Sequence, residues 1–180
     1  MRKRILFVDD EKNFLEGIRL MLRGERKHWD MDFAEGAQAA IRLTNENDYD
    51  CIVSDVNMPV MTGLELLQIL RQTNRTASTP VVILTGNAEA DLKRRALDLG
   101  ATDLLNKPVT QEDLLARIRS VLVLKGYQDE LREYSHTLED KVRERTRDLE
   151  RARRDIILRL AKAGEMRDEE TGQHVVREIG

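Results

Sequence analysis

One cysteine, three prolines and an aromatic share of 4% are small numbers for a chain of 180 residues. The single thiol, Cys51, excludes an internal disulfide, and its place in the run Cys51-Ile52-Val53 predicts a buried, reduced side chain. No apolar run approaches the roughly 20 residues of a membrane span. After the basic start Met1-Arg-Lys-Arg, only Ile5–Val8 precede Asp9, too few for a secretory signal. The expected location is therefore cytoplasmic, with no membrane partner. Neither sign of charge dominates: 30 basic against 33 acidic residues give a net charge of -3. Nothing global argues for nucleic acid.

What the chain does have is two patterns in succession. Over the first 120 or so residues, short apolar runs alternate with stretches of three- and four-residue apolar spacing. Ile5–Val8, Cys51–Val53 and Val81–Leu84 read as strands, Thr102–Leu105 as a weaker one. A further strand around Asp32-Phe33-Ala34 is placed by alternation only. The intervening helices are predicted over Phe14–Arg23, Gly36–Thr44, Leu64–Arg71, Ala90–Leu99 and Gln111–Leu122. Thr110-Gln-Glu-Asp113 predicts a capping box at the start of the last helix, and Gly100 a helix stop. The order βαβαβαβαβα predicts an α/β fold, a doubly wound five-stranded parallel sheet with helices on both faces. The Val/Ile-rich strands fit a sheet buried on both sides.

From about Leu124 the apolar positions are Leu124, Tyr127, Leu131, Tyr134, Leu138, Val142, Leu149, Ala152, Ile156, Leu160 and Ala163, with Arg145 on the same stripe. This is one long helix, about 60 Å at 1.5 Å per residue. Nothing in the chain is long enough to cover the stripe, so a coiled-coil homodimer is expected. The rival is a charged, solvent-exposed single helix. The four-residue steps 134-138-142 and 152-156-160 resemble stutters that relax a left-handed supercoil. The expected domains are 1–122, a long dimerising helix 123–164, and 165–180 as the start of another domain.

Four strand ends carry chemistry: Asp9-Asp10, Asp55, Thr85 and Lys107-Pro108. Open α/β sheets gather such ends at one edge. An aspartate placed there is exposed enough to attack phosphorus in line. Adjacent carboxylates call for a hard cation, and Mg²⁺ suits a shallow all-oxygen site. Asp10, Asp55 and the backbone carbonyl of Asn57 are expected as direct ligands, with Asp9 acting through a water. Lys107 would hold one phosphoryl oxygen and the Thr85 hydroxyl another. A cis Lys107-Pro108 bond would aim the lysine. Singly, each feature is as readily a solvated strand end or a turn; together, at four successive ends, they point to phosphoryl chemistry.

These residues carry a resemblance. Ile-Leu-Phe-Val-Asp-Asp-Glu (5–11), Ser-Asp-Val-Asn-Met-Pro-Val-Met-Thr-Gly-Leu-Glu-Leu-Leu (54–67), Pro-Val-Val-Ile-Leu-Thr-Gly (80–86) and Gly-Ala-Thr-Asp-Leu-Leu-Asn-Lys-Pro-Val (100–109) resemble the receiver domain of two-component response regulators. The resemblance implies a flavodoxin-like strand order 2-1-3-4-5 and phosphorylation of Asp55 by a cognate histidine kinase with Mg²⁺. It also implies readout of the phosphate by Thr85 and Lys107. Three positions depart from the family pattern: Leu104 replaces the usual switch aromatic, Val109 the usual Phe, and Thr62 a frequent Asp. Leu104 bears on how such a domain signals.

A second resemblance lies at the far end. Leu160-Ala-Lys-Ala-Gly-Glu-Met-Arg-Asp-Glu-Glu-Thr-Gly-Gln-His174-Val-Val-Arg is similar to the opening helix of the HD-GYP phosphodiesterases, which hydrolyse cyclic di-GMP at a multi-metal centre. It implies metal-ligand roles for Glu170 and His174, which share a helical face at i,i+4. The later ligands of that family do not occur in these 180 residues, so the fragment is expected to be a phosphoacceptor rather than an enzyme. The alternatives are a phosphorylation-independent docking and dimerisation module, a haloacid-dehalogenase-like phosphatase and a DNA-binding protein. The second would need an Asp two residues after its nucleophile on the first strand, where Glu11 stands. The arginines at 143, 145, 147, 151, 153 and 154 argue for the third, but Glu144, Asp148, Glu150 and Asp155 interleave with them.

Overall fold

The computed structural model describes residues 2–86 and 90–178, with the side chains of residue 90 and of residues 161–178 outside the description. The strands are β1 Lys3–Asp9, β2 Trp29–Glu35, β3 Cys51–Asp55, β4 Val81–Thr85 and β5 Asp103–Asn106. Between and after them come α1 Lys12–Met21, α2 Ala37–Glu46, α3 Gly63–Gln72, α4 Ala90–Asp98 and α5 Gln111–Glu178, with a short 3-10 turn over Arg23–Lys27. All pairings are parallel, in the order β2-β1-β3-β4-β5. This is the doubly wound sheet expected from the alternation of elements, in the flavodoxin-like order that the resemblance implied.

Alternate residues of each strand divide the core into two layers, as a period of two dictates. Ile5, Phe7, Cys51, Val53, Val82 and Leu84 pack with Leu15 and Ile18 of α1 and with Leu114, Ile118 and Val121 of α5. Leu6, Val8, Ile52, Val81 and Ile83 pack on the opposite face with Ala37 and Ala40 of α2, Leu66, Leu67 and Leu70 of α3, and Ala96 of α4. Cys51 is buried and free, as the apolar run predicted. Burial pushes its thiol up to about 12.

The helix ends are specified locally. Thr62 caps α3 in a full capping box with Glu65, a T-x-x-E signal that the sequence carries. At α5 the Thr110 hydroxyl accepts from Asp113 N–H at 3.1 Å and donates to the Asp113 carboxylate at 2.8 Å. Gly100 stands at φ 92°, the left-handed conformation that ends the α4 segment and that glycine adopts without strain.

The chain divides into two compact units, Met1–Gln128 and Asp129–Gly180. The second is helical through Glu178, and every side chain from Asp129 to Leu160 is exposed. No break marks residue 122: the helix that begins at Gln111 continues in register, because neither Gly nor Pro interrupts it before Gly126, and one glycine costs only about 1 kcal/mol in a helix. Among the described residues no helix is long and apolar enough to cross a membrane.

Candidate functional site

The strand ends place the chemistry. β1 and β3 pair directly, Val8 opposite Ser54, so Asp9 and Asp55 leave the sheet side by side. β4 and β5 pair with Thr85 opposite Asn106, which sets Lys107 one residue beyond the same edge. The backbone then fixes the lysine: Lys107 N–H donates to the Thr85 carbonyl at 2.8 Å, and the Lys107-Pro108 peptide is cis, as the sequence predicted.

The Lys107 ammonium bridges two carboxylates, Asp9 Oδ2 and Asp55 Oδ1, each at 2.8 Å. The remaining oxygens are also held. Glu11 N–H donates to Asp9 Oδ1 at 2.8 Å, and Asn57 N–H donates to Asp55 Oδ2 at 2.9 Å. Asp9 and Asp55 are only 1% and 5% exposed, so one ammonium serves two desolvated carboxylates. Burial, and then the neighbouring Asp9, raises the Asp55 carboxyl above its usual range, against the pull of Lys107 and Asn57 N–H. Burial alone would lower the Lys107 ammonium, but its hydrogen bonds to Asp55 and Asp9 outweigh that, and its pKa lies above the ordinary lysine value. The same ammonium sits 4.1 Å from the ring centroid of Phe14, a cation–π contact from α1 that sequence reasoning missed. Only its place at the start of the first amphipathic helix pointed to it.

The other expected residues lie around this core. Thr85 is buried at the end of β4. Asp10 and Asn57 are exposed, and Asp10 lines a shallow cleft of about 320 Å³ with Glu35, Pro59, Val60 and Met61. The side chains of Glu170 and His174 lie outside the described residues. A second residue missed from sequence is Gly63. A Cβ there would run into the backbone carbonyl of Asp55 and come within 3.0 Å of Val56 Cα. Gly63 N–H donates to the Val56 carbonyl at 2.9 Å, so α3 begins in direct contact with the turn after Asp55. Thr62 serves as the N-cap of α3, a role an Asp there would also fill, and Leu104 packs partly buried against the α2–α4 layer.

The donor set fits a hard divalent cation. All candidate ligands are oxygens; two buried carboxylates, Asp9 and Asp55, share a single ammonium, and Asp10 stands exposed next to Asp9 in the chain. Among the described residues no three His, Cys, Asp or Glu side chains converge as a ready-made cluster. The fit is therefore one of charge and donor chemistry, with Lys107 as the counter-ion of Asp9 and Asp55.

Comparison with known proteins agrees with this geometry. Residues 5–119 match the response regulator receiver domain. A Vibrio cholerae protein named "Probable cyclic di-GMP phosphodiesterase" is 30% identical over 173 residues, 96% of this chain and 38% of that one. The response regulator ArlR of Staphylococcus saprophyticus is 38% identical over 119 residues, 66% of this chain and 52% of that one. The chain thus spans about two-fifths to one-half of these relatives. Among solved structures, the chemotaxis protein CheY4 of Vibrio cholerae matches at TM-score 0.64 and 30% identity, covering 67% of this chain and 99% of that one. The signal receiver domain of an HD domain-containing protein from Pseudomonas fluorescens Pf-5 matches at TM-score 0.65 and 28% identity, covering 72% and 93%. With Asp9, Asp55, Thr85 and Lys107 at one sheet edge and this match across most of its length, the chain belongs to the response regulator receiver domain family.

Proposed function

We propose that Asp55 accepts a phosphoryl group from the phosphohistidine of a cognate histidine kinase, and that the long helix, paired with a second copy, relays the change to an output domain. The observation that carries the proposal is the Lys107 ammonium 2.8 Å from both Asp9 and Asp55. In the transfer, an Asp55 carboxylate oxygen attacks phosphorus in line. The P–N bond breaks, the imidazole leaves with the electron pair and takes up a proton, and an acyl phosphate remains on Asp55. Mg²⁺, when bound, would neutralise charge on the transferring phosphoryl oxygens; Asp10, Asp55 and the Asn57 carbonyl would hold it, with Asp9 behind a water. Lys107 turns from its carboxylates toward a phosphoryl oxygen, and the Thr85 hydroxyl meets another. A group of charge near -2 beside Lys107 gives that lysine a stronger partner than Asp9. This exchange is the switch.

For the longer protein we propose a metal-dependent cyclic di-GMP phosphodiesterase as output, with Glu170 and His174 among its ligands. The Vibrio cholerae relative aligned over 96% of this chain supports it. So do Ile157 and Leu158, exposed at 54% and 62% and lying off the stripe. They make the helix apolar on several sides just before that segment, as a helix covered by a further domain would be. The acceptor claim is tested by intact mass after incubation with acetyl phosphate, with and without Mg²⁺. One Mg²⁺-dependent increment of about 80 Da, absent in Asp55→Asn, is expected. No increment with Mg²⁺ present would favour the phosphorylation-independent docking module.

A further inference from the structure

The apolar stripe repeats with a period that decides how two copies can pack. From Leu124 to Val142 the steps are 3-4-3-4-4, and from Val142 to Leu160 they are again 3-4-3-4-4. Each block averages about 3.6 residues per step, the period of an unstrained α-helix rather than the 3.5 of a left-handed supercoil. A stripe of that period runs parallel to the helix axis. Extending a strict heptad from Leu131, Tyr134 and Leu138 would instead bring Lys141, Arg145, Asp148, Asp155 and Arg159 into the seam.

Within the second unit the stripe is unpartnered in a single copy. Leu131, Tyr134, Leu138, Val142, Leu149, Ile156 and Leu160 are between 44% and 71% exposed. The opposite face is charged, with Asp140, Arg143, Glu144, Arg147 and Arg151 around one shallow groove. One apolar face over about 44 Å calls for one long partner.

We infer that the occupant is a second copy of this helix, parallel and in register, packed along a straight seam through Val142, Leu149, Ile156 and Leu160 without sustained supercoiling. This rests on the dimer reading above and gives it a geometry. Charge on the flanks is compatible with the parallel arrangement. On a straight helix Glu139 and Arg153 fall on one side of the stripe, Lys141, Asp148 and Asp155 on the other. Two-fold symmetry brings one side against the other, so Glu139 faces the second copy's lysine at the neighbouring level and Arg153 faces its two aspartates, with no like-charged pair among them. Arg145 is the one charged step between Leu131 and Leu160, and Asp148 lies one turn on from it.

The test uses the full chain, with Cys51→Ala removing its only thiol and single cysteines introduced one at a time. Oxidative cross-linking at Leu138→Cys, Val142→Cys, Leu149→Cys and Ile156→Cys is compared with Lys141→Cys, Asp148→Cys and Asp155→Cys, beside sedimentation of each reduced variant. The straight seam predicts a dimer in sedimentation. It also predicts cross-linking at 142, 149 and 156, and likewise at Tyr134→Cys and Leu160→Cys, at least about tenfold faster than at 141, 148 and 155 or at Ser135→Cys and Arg159→Cys, because a disulfide needs Cα atoms within about 7 Å. Faster reaction at 141, 148 and 155, or at 135 and 159 than at 134 and 160, would place the seam on a heptad and overturn the straight one. Cross-linking confined to residues near one point of the helix would overturn the parallel arrangement. Monomers in sedimentation, with no cross-linking at any position, would remove the second copy altogether, while the acetyl phosphate result would stand or fall separately.

Discussion

Replacing Gly63 by Ala asks whether the start of α3 rests on the turn after Asp55. Gly63 has no unusual φ among the positions where glycine is required, so the new methyl meets no backbone penalty of its own. It would gain about 0.4–1 kcal/mol from the stiffer unfolded chain. Against this, the Cβ runs into the Asp55 carbonyl and approaches Asp55 C and Val56 Cα at 3.0 Å. All three are backbone atoms, so no side chain can swing away. Overpacking of this kind costs about 1–3 kcal/mol. If α3 backs off, the 2.9 Å bond from Gly63 N–H to the Val56 carbonyl weakens as well, another 0.5–1.5 kcal/mol or so. The sum is a net loss centred on about 2 kcal/mol, in a range of about 0.5–4, for Gly63→Ala, read as a shift in the urea midpoint at unchanged slope. Labelling by acetyl phosphate should slow as well, because Asn57 N–H, which holds Asp55 Oδ2, belongs to the same turn. Stability equal to or above wild type would refute the close approach and the reasoning built on it.

Removing the shared cation leaves two desolvated carboxylates together, so Lys107→Met should lose about 2–4 kcal/mol, less than a wholly buried pair because Lys107 keeps 23% exposure. With the Asp55 carboxyl, already raised by burial, then deprived of its ammonium, that variant should be most stable in acid and lose stability as pH rises through it; denaturation at pH 5 and pH 7.5 showing no such trend would contradict it. Cys51 gives a second pH signature. Its thiol stays protonated in the fold to about 12 but ionises near 9 when unfolded, so stability should be flat below 9 and fall above it by up to about 1.4 kcal/mol per pH unit. Cys51→Ala should lack that slope, and an identical alkaline limb in both proteins would sink the assignment. Val60 stands at φ 70° while 92% exposed, a strained position with little packing to support it. Val60→Gly should therefore stabilise by about 0.5–1 kcal/mol in the same urea assay; a loss would show that unseen contacts hold the turn.

Legibility in the sequence followed burial. β1, β3 and β4 were plain because strands buried on both faces become runs of Ile, Val and Leu. β2 was faint because it is an edge strand carrying Asp30, Asp32 and Glu35, whose partners come from afar. Asp32 accepts from Arg4 Nε and Tyr49 O–H, both at 2.8 Å, which no local pattern announces. The acidic pair was legible as a pair, but not which member turns inward. Adjacent residues leave a strand on opposite sides, and the fold sends Asp9 to Lys107 while Asp10 stays exposed. Phe14 and Gly63 were invisible for the same reason: their value lies in what stands opposite them. The long helix was read from its stripe, yet its continuity with the last receiver helix was not, because the apolar face changes from core-facing to solvent-exposed without any change in helical period.

The central claim is that phosphorus is carried on Asp55 itself. After treatment with acetyl phosphate and Mg²⁺, reduction by borohydride converts an aspartyl phosphate to homoserine, and peptide mass mapping then locates it. The account predicts homoserine at position 55 alone. Conversion at Asp9 or Asp10, or none anywhere in Mg²⁺-treated protein, would contradict it.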